Sequence, residues 1–195
     1  MGVLTLDVDG VLFDCNPAVV SEINRRLGTS FTINQVITYR IAKSLEVFDE
    51  RVTEELVSEI FDNLIRVERG SRLLPLEGAA DGLRELLEDD DELVFVTSRD
   101  EKKWGEATKF ACERSFGSVY NDIVFTGVGR SEDFTDGMIN GYKSDTLKRL
   151  GCKVHVEDGL HFAEEVARSG LSVVLVDQPW NQKRSNYETY GNTGR

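Results

Sequence analysis

From Pro75 onward the chain alternates short apolar runs with amphipathic segments, and this order constrains its fold more than any other feature. Residues 79–87 read as a helix and Leu93 to Val96 as a strand. Glu101 to Phe116 is the next helix, Ile123 to Phe125 the next strand, Lys143 to Leu150 a helix, and Val154 to Val156 a strand. Leu160 to Ser169 and Val173 to Val176 close the series, and Val3 to Leu6 supplies one more strand at the start. Strands separated by helices need crossover connections, which are right-handed, so the expected fold is α/β: a doubly wound, Rossmann-like, five-stranded parallel sheet. Such sheets bind ligands beyond the carboxyl ends of their strands. The residues that follow each strand are therefore the ones to read for chemistry.

The first strand ends in Asp7-Val8-Asp9-Gly10. In extended chain the two carboxylates point to the same side. Like charges that close call for a cation between them or a proton on one. A hard cation such as Mg²⁺, shared with a substrate phosphate, satisfies this, and a solvated turn is the plainer alternative. The spacing is not that of an EF-hand, because Val11 and Leu12 occupy positions that need a ligand and a glycine. The second strand ends Val96-Thr97-Ser98-Arg99, where a hydroxyl and exposed N–H groups form either an anion site or the cap of the next helix. Lys143 opens the helix after the third strand, where a cation is slightly out of place; a phosphate partner suits it, and a solvated surface lysine is the plainer alternative. The fourth strand ends Val156-Glu157-Asp158-Gly159, a second acidic pair.

Residues 14–75 carry no strong strand pattern. Pro17 to Leu27 reads as a helix stopped by Gly28, Thr32 to Gln35 as a helix start, and residues 52–67 as an amphipathic helix. Residues 1–13 and 76–195 thus form the expected core domain, with 14–75 a helical insert. Its aromatics, Tyr39 among them, belong more often to a core than to a ligand platform. The segment 127–141 is Gly- and acid-rich without periodicity, either an active-site flap or a surface loop, and the tail 181–195 is expected to pack as a short helix or fray. A net charge of −12 leaves no basic surplus to bind nucleic acid or anionic membrane. No apolar run approaches the roughly 18 residues of a membrane helix, and no signal peptide is evident. Cys15, Cys112 and Cys152 are scattered and odd in number, which suits reduced thiols in the cytoplasm.

Taken together, Asp7-Val8-Asp9-Gly10-Val11, Val96-Thr97-Ser98-Arg99, Lys143 and Val156-Glu157-Asp158 resemble, in order, the four motifs of the haloacid dehalogenase superfamily. The insert lies where that superfamily places a helical C1 cap. Within it the chain is similar to the 5′(3′)-deoxyribonucleotidase group, through Ile37-Thr38-Tyr39, the Glu157-Asp158 pair and Val176-Asp177-Gln178-Pro179-Trp180-Asn181.

The resemblance implies Mg²⁺-dependent phosphomonoester hydrolysis through an aspartyl-phosphate. It implies Asp7 as nucleophile and Asp9 as general acid and base. Thr97, Ser98 and Lys143 are the implied phosphate holders, and Asp7, Asp9 (by its main-chain carbonyl), Asp158 and Glu157 the implied metal set, with the direct ligand of the last pair left open. Phe13, Tyr39 and Arg99 are candidates to contact substrate, with a structural salt bridge the alternative for Arg99. The expected substrate is small and phosphorylated, a nucleoside monophosphate first. The alternatives are another small phosphoester or a polynucleotide 3′-phosphate, and then a non-enzymatic phospho-acceptor domain. Acceptor domains place the phosphorylated Asp on the third strand, which here ends in Thr126-Gly127. Base and sugar preference and homodimer formation are not legible in the sequence.

Overall fold

The computed structural model describes residues 2–66, 73–86, 92–127, 142–182 and 193–194. Its parallel sheet contains the five expected strands: β1 (Val3–Leu6), β2 (Glu92–Thr97), β3 (Asp122–Phe125), β4 (Cys152–Glu157) and β5 (Ser172–Leu175). A two-residue β6 (Thr193–Gly194) extends one edge, giving the order β3-β2-β1-β4-β5-β6. The chain builds outward from β1 to β2 and β3, then crosses back to lay β4 against the other side of β1. Neighbouring connections diverge between β1 and β4, so the crevice of a doubly wound sheet opens there. Asp7 and Asp9 follow one of these strands and Asp158 the other.

Among the described residues seven α-helices connect the strands: α1 (Cys15–Leu27), α2 (Ile41–Leu45), α3 (Glu54–Arg66), α4 (Ala79–Leu86), α5 (Glu101–Phe116), α6 (Tyr142–Arg149) and α7 (Leu160–Arg168). Alternation along the strands sorts them into two layers. Leu93 and Phe95 face one apolar cluster with residues of α1, α3, α4 and α5. Val94 and Val96 face the other, with Leu147 of α6 and Ala163, Val166 and Ala167 of α7. Helix α1 ends where Gly28 turns left-handed (φ 70°) and returns its N–H to Asn24. Sequence periodicity missed α2, whose five residues are too few to show one. The expected helix start at Thr32 is a single 3₁₀ turn, Ile33–Gln35, with the Gln35 side chain accepting from the Thr32 N–H at 2.8 Å. The expected loop 127–141 lies outside the described residues apart from Gly127, as does most of the 181–195 tail.

The helical excursion leaves and re-enters the sheet through paired segments. Asp14 N–H donates to Leu74 O at 3.0 Å and Leu76 N–H to Leu12 O at 2.8 Å. Helix α3 is fastened to α5 by Asp62, which accepts from Trp104 Nε1 and pairs with Lys103 Nζ, both at 2.7 Å. No helix among the described residues is long and apolar enough to cross a membrane.

Candidate active site

Alternation in two adjacent strands builds the centre of the site. Thr5 of β1 is in register with His155 of β4, so the residues two further on, Asp7 and Glu157, come together at the carboxyl edge. Lys143, from the first turn of α6, lies between them. Its ammonium bonds Asp7 Oδ1 at 2.9 Å and makes a short contact with Glu157 Oε2. All three side chains are buried. The anion that explains a lysine at this helix start is thus present in the protein itself.

Asp7, Glu157 and Asp158 each offer a carboxylate oxygen within 4.8 Å of the others. They differ in what already holds them. Glu157 is fully committed: Oε1 accepts from the N–H groups of Asp158 (3.1 Å) and Gly159 (2.9 Å), and Oε2 from Lys143 and His155. Asp158 accepts from Trp180 Nε1 at 2.9 Å through Oδ2, while its buried Oδ1 has no partner among the described residues. Three buried carboxylates face one ammonium, and an oxygen is left unsatisfied. That donor set is hard, anionic and incomplete, and it fits a divalent cation such as Mg²⁺.

The electrostatics follow. Burial pushes the Asp7 carboxyl up, Lys143 opposes this, and Glu157 and Asp9 add to it, leaving Asp7 at about 7. Burial, then the charges of Glu157 and Asp7, hold Asp158 well above the carboxylate range. Burial would also raise Glu157, but Lys143 and His155 override it and hold that carboxyl low. Lys143 is the mirror case: burial works against its charge, and Asp7 and Glu157 raise it regardless.

Asp9 stands apart from this cluster. Arg99 grips it with two bonds, Nε to Oδ2 at 2.9 Å and Nη2 to Oδ1 at 2.7 Å, and Cys15 Sγ donates to Oδ1 at 2.8 Å. The third guanidinium nitrogen bonds Thr108 Oγ1 at 2.9 Å. Arg99 is buried and engaged at every nitrogen, in the salt bridge offered above as the alternative to a substrate contact. Thr97 and Ser98 do not cap α5: Asp100 does, accepting from the Lys102 N–H at 2.8 Å. Thr97 Oγ1 takes the Arg99 N–H at 3.2 Å, and the buried Ser98 hydroxyl has no partner among the described residues.

Of the other substrate candidates, Phe13 is a correction. It is fully buried against Phe116, with ring centroids 5.3 Å apart, and presents no surface to a ligand. Tyr39 keeps an exposed edge and meets His161 edge-on at 4.6 Å, at the start of α7 beside Phe162. Trp180 and Asn181 were not read as site residues. Asn181 Nδ2 holds the Asp158 carbonyl at 2.9 Å and Gln178 Nε2 the Gly10 carbonyl at 3.1 Å, so the segment after β5 locks both acidic loops.

Gly10 has the one backbone in the site that a side chain would break. Its φ is +77°, and a Cβ there would lie 2.2 Å from Asp158 Oδ2. Gly10→Ala is expected to destabilise the fold by about 1–3 kcal/mol, through left-handed strain and displacement of Asp158. Chemical denaturation with and without Mg²⁺ checks this, and the loss of Mg²⁺-induced stabilisation should exceed the loss seen without metal.

No family model and no curated protein matches the sequence. Solved structures do match its fold. A haloacid dehalogenase-like hydrolase of Streptococcus pneumoniae superposes with a TM-score of 0.56 at 14% identity, covering 91% of this chain and 85% of its own. CbbY of Rhodobacter sphaeroides, solved with phosphate, gives 0.52 at 17% identity over 94% and 90%. Protein tyrosine kinase A of Mycobacterium tuberculosis gives 0.61 at 18% identity over 95% and 87%. At such identities the likeness is one of architecture, and the reaction has to be argued from the side chains. The chain has the α/β fold found in haloacid dehalogenase-superfamily hydrolases.

Proposed function

We propose that this chain is a haloacid dehalogenase-superfamily phosphatase that hydrolyses phosphomonoesters through Asp7, most readily those of nucleosides. The observation that carries the reading is the buried set of Asp7, Lys143, Glu157 and Asp158, with Asp158 Oδ1 left open. A carboxylate held by an ammonium and lying beside carboxylates that could hold a hard cation is equipped to attack a phosphorus centre. A purely structural ion pair would need neither the third acid nor the orphaned oxygen.

In the first step an Asp7 carboxylate oxygen bonds to phosphorus as the ester P–O bond breaks. The leaving alkoxide takes a proton from the Asp9 carboxyl. In the second step water attacks the aspartyl-phosphate, gives its proton to Asp9, and Asp7 is released with inorganic phosphate. Arg99 fixes the position of the Asp9 carboxyl through two bonds. Asp7, Asp158 and the Asp9 carbonyl would hold Mg²⁺, which supplies charge that offsets repulsion between the nucleophile and the phosphate dianion. Glu157, spent on Lys143, serves as that lysine's partner instead. Ser98 Oγ, buried without a partner among the described residues, and the Thr97 loop would bond phosphoryl oxygens. Residues 14–75 act as the cap that excludes water, and Tyr39 offers the aromatic face that favours a base among leaving groups.

Phosphate release should be measured with ribo- and deoxyribonucleoside monophosphates, sugar phosphates and a 3′-phosphorylated oligonucleotide, with Mg²⁺ and with chelator. The expected result is Mg²⁺-dependent turnover, fastest on nucleoside monophosphates. Turnover confined to sugar phosphates would retain the mechanism and discard the nucleotide assignment. A single retained phosphate equivalent would identify an acceptor domain and overturn the reading.

A further inference from the structure

We propose that His155, which no step of the reaction touches, is the positioning residue for the Glu157–Lys143–Asp7 chain, with Thr5 fixing the imidazole that does it. The inference deepens the phosphatase reading and rests on it. Six side chains form one continuous buried polar line. Cys152 Sγ lies 3.0 Å from Thr5 Oγ1, which lies 2.8 Å from His155 Nδ1. His155 Nε2 lies 3.3 Å from Glu157 Oε2, which meets Lys143, and Lys143 meets Asp7 at 2.9 Å.

The chemistry of each group gives this line a direction. Glu157 Oε2 can only accept, so Nε2 must carry a proton; a bare nitrogen there would set lone pair against lone pair. With the proton on Nε2, Nδ1 accepts from the Thr5 hydroxyl, and Thr5 Oγ1 in turn accepts from the Cys152 thiol. Donors and acceptors then match at every link. Thr5 and His155 are cross-strand partners in β1 and β4, so the sheet itself sets their contact.

The placement is unusual for a core. Thr5 and His155 are fully buried on the sheet face that otherwise packs Val94, Val96, Val173 and Leu147. Apolar residues would fill that layer at lower desolvation cost. What the polar line provides is a second donor on Glu157 Oε2. It turns this carboxylate toward Lys143 and away from the cation site, leaving Asp158 to complete the latter. Groups that orient a ligating or catalytic carboxylate in this way commonly matter by about 10–100-fold in metal affinity or rate.

The test has a spectroscopic arm, a metal arm and a kinetic arm. The chain has only two histidines, so imidazole ¹H–¹⁵N correlation spectra are readily assigned with His155→Gln. His155 should show its proton on Nε2 and a bare Nδ1, and Thr5→Val should disturb that pattern. Mn²⁺ binding, followed by electron paramagnetic resonance, should weaken about 10-fold in His155→Leu. His155→Gln, whose amide can still donate to Glu157, should recover to within about threefold of wild type. On the best substrate His155→Leu should lower kcat by about 10–100-fold with KM nearly unchanged. Wild-type Mn²⁺ affinity in a folded His155→Leu, or a proton on Nδ1 with Nε2 bare, would overturn the proposal. If His155→Leu fails to fold, Thr5→Val carries the same comparison. A wild-type protein that releases no phosphate from any ester would remove the phosphatase reading, while the spectra and Mn²⁺ binding would still decide the role of His155.

Discussion

Asp7→Asn is expected to reduce phosphate release by at least about a thousandfold and, without metal, to make the protein more stable at pH 8. The two effects have one cause. Asp7 is a buried carboxyl with two further acids close by, and burial lifts it from 3.8 to about 7. Its folded value lies above its unfolded value, so the native state binds the proton more tightly. The resulting stability is fully present below about pH 4 and is lost as pH rises through about 7. At pH 8 the metal-free protein carries the ionised acid at full cost. Asparagine removes that charge, and its carbonyl can still accept from Lys143 Nζ. A gain on the order of 1–2 kcal/mol at pH 8, nearly absent at pH 4, is the expected signature. Thermal melts in chelator across this range check it. Mg²⁺ should stabilise the wild type strongly and Asp7→Asn weakly. If Asp7→Asn keeps its turnover, another group is the nucleophile. If it melts lower than wild type at pH 8, the carboxylate is better satisfied than the cluster of acids implies.

The strands were legible because burial on both faces leaves near-continuous apolar runs, as in Leu93 to Val96, and each lies within a residue or two of its observed bounds. The helices were legible from their apolar stripes; Glu101–Phe116 matches at both ends. The site was legible as far as short motifs reach. Asp7 and the Glu157-Asp158 pair each end a strand, where a charge stands out against apolar neighbours, and Lys143 opens a helix. What the sequence hid was pairing. Nothing in the string says that Arg99 grips Asp9 or that Trp180 reaches Asp158, because those contacts join segments brought together only by the sheet. Nor does it distinguish Glu157 from Asp158, adjacent acids whose roles separate only when four donors converge on one of them. Thr5 and His155 were hidden for another reason: a single polar residue in an apolar strand reads as tolerated surface until its cross-strand partner is known.

Lys143→Met is expected to cost about 3–5 kcal/mol at pH 8, the largest stability loss in the site, along with most of the activity. The ammonium is buried, bonded to Asp7 and Glu157, and lies 4.9 Å over the Phe162 ring. Methionine has a similar length and suits the aromatic contact, so the loss would come from charge. It leaves Asp7, Glu157 and Asp158 facing one another without a cation. The pH dependence separates this cause from packing. In the wild type Glu157 is held below its ordinary 4.5, and its contribution is present above that value and lost as pH falls through the folded one. Without Lys143, burial acts on Glu157 with only His155 against it, so its folded value rises. Each acid whose folded value then exceeds its unfolded value destabilises the protein progressively as pH climbs. The deficit of Lys143→Met relative to wild type should therefore be smaller at pH 5 than at pH 8, by urea unfolding in chelator. Mg²⁺ should recover part of it at pH 8, since a dication can occupy the same acids. An equal deficit at both pH values would make Lys143 a packing residue and would remove the ammonium from the account of how Asp7 is held.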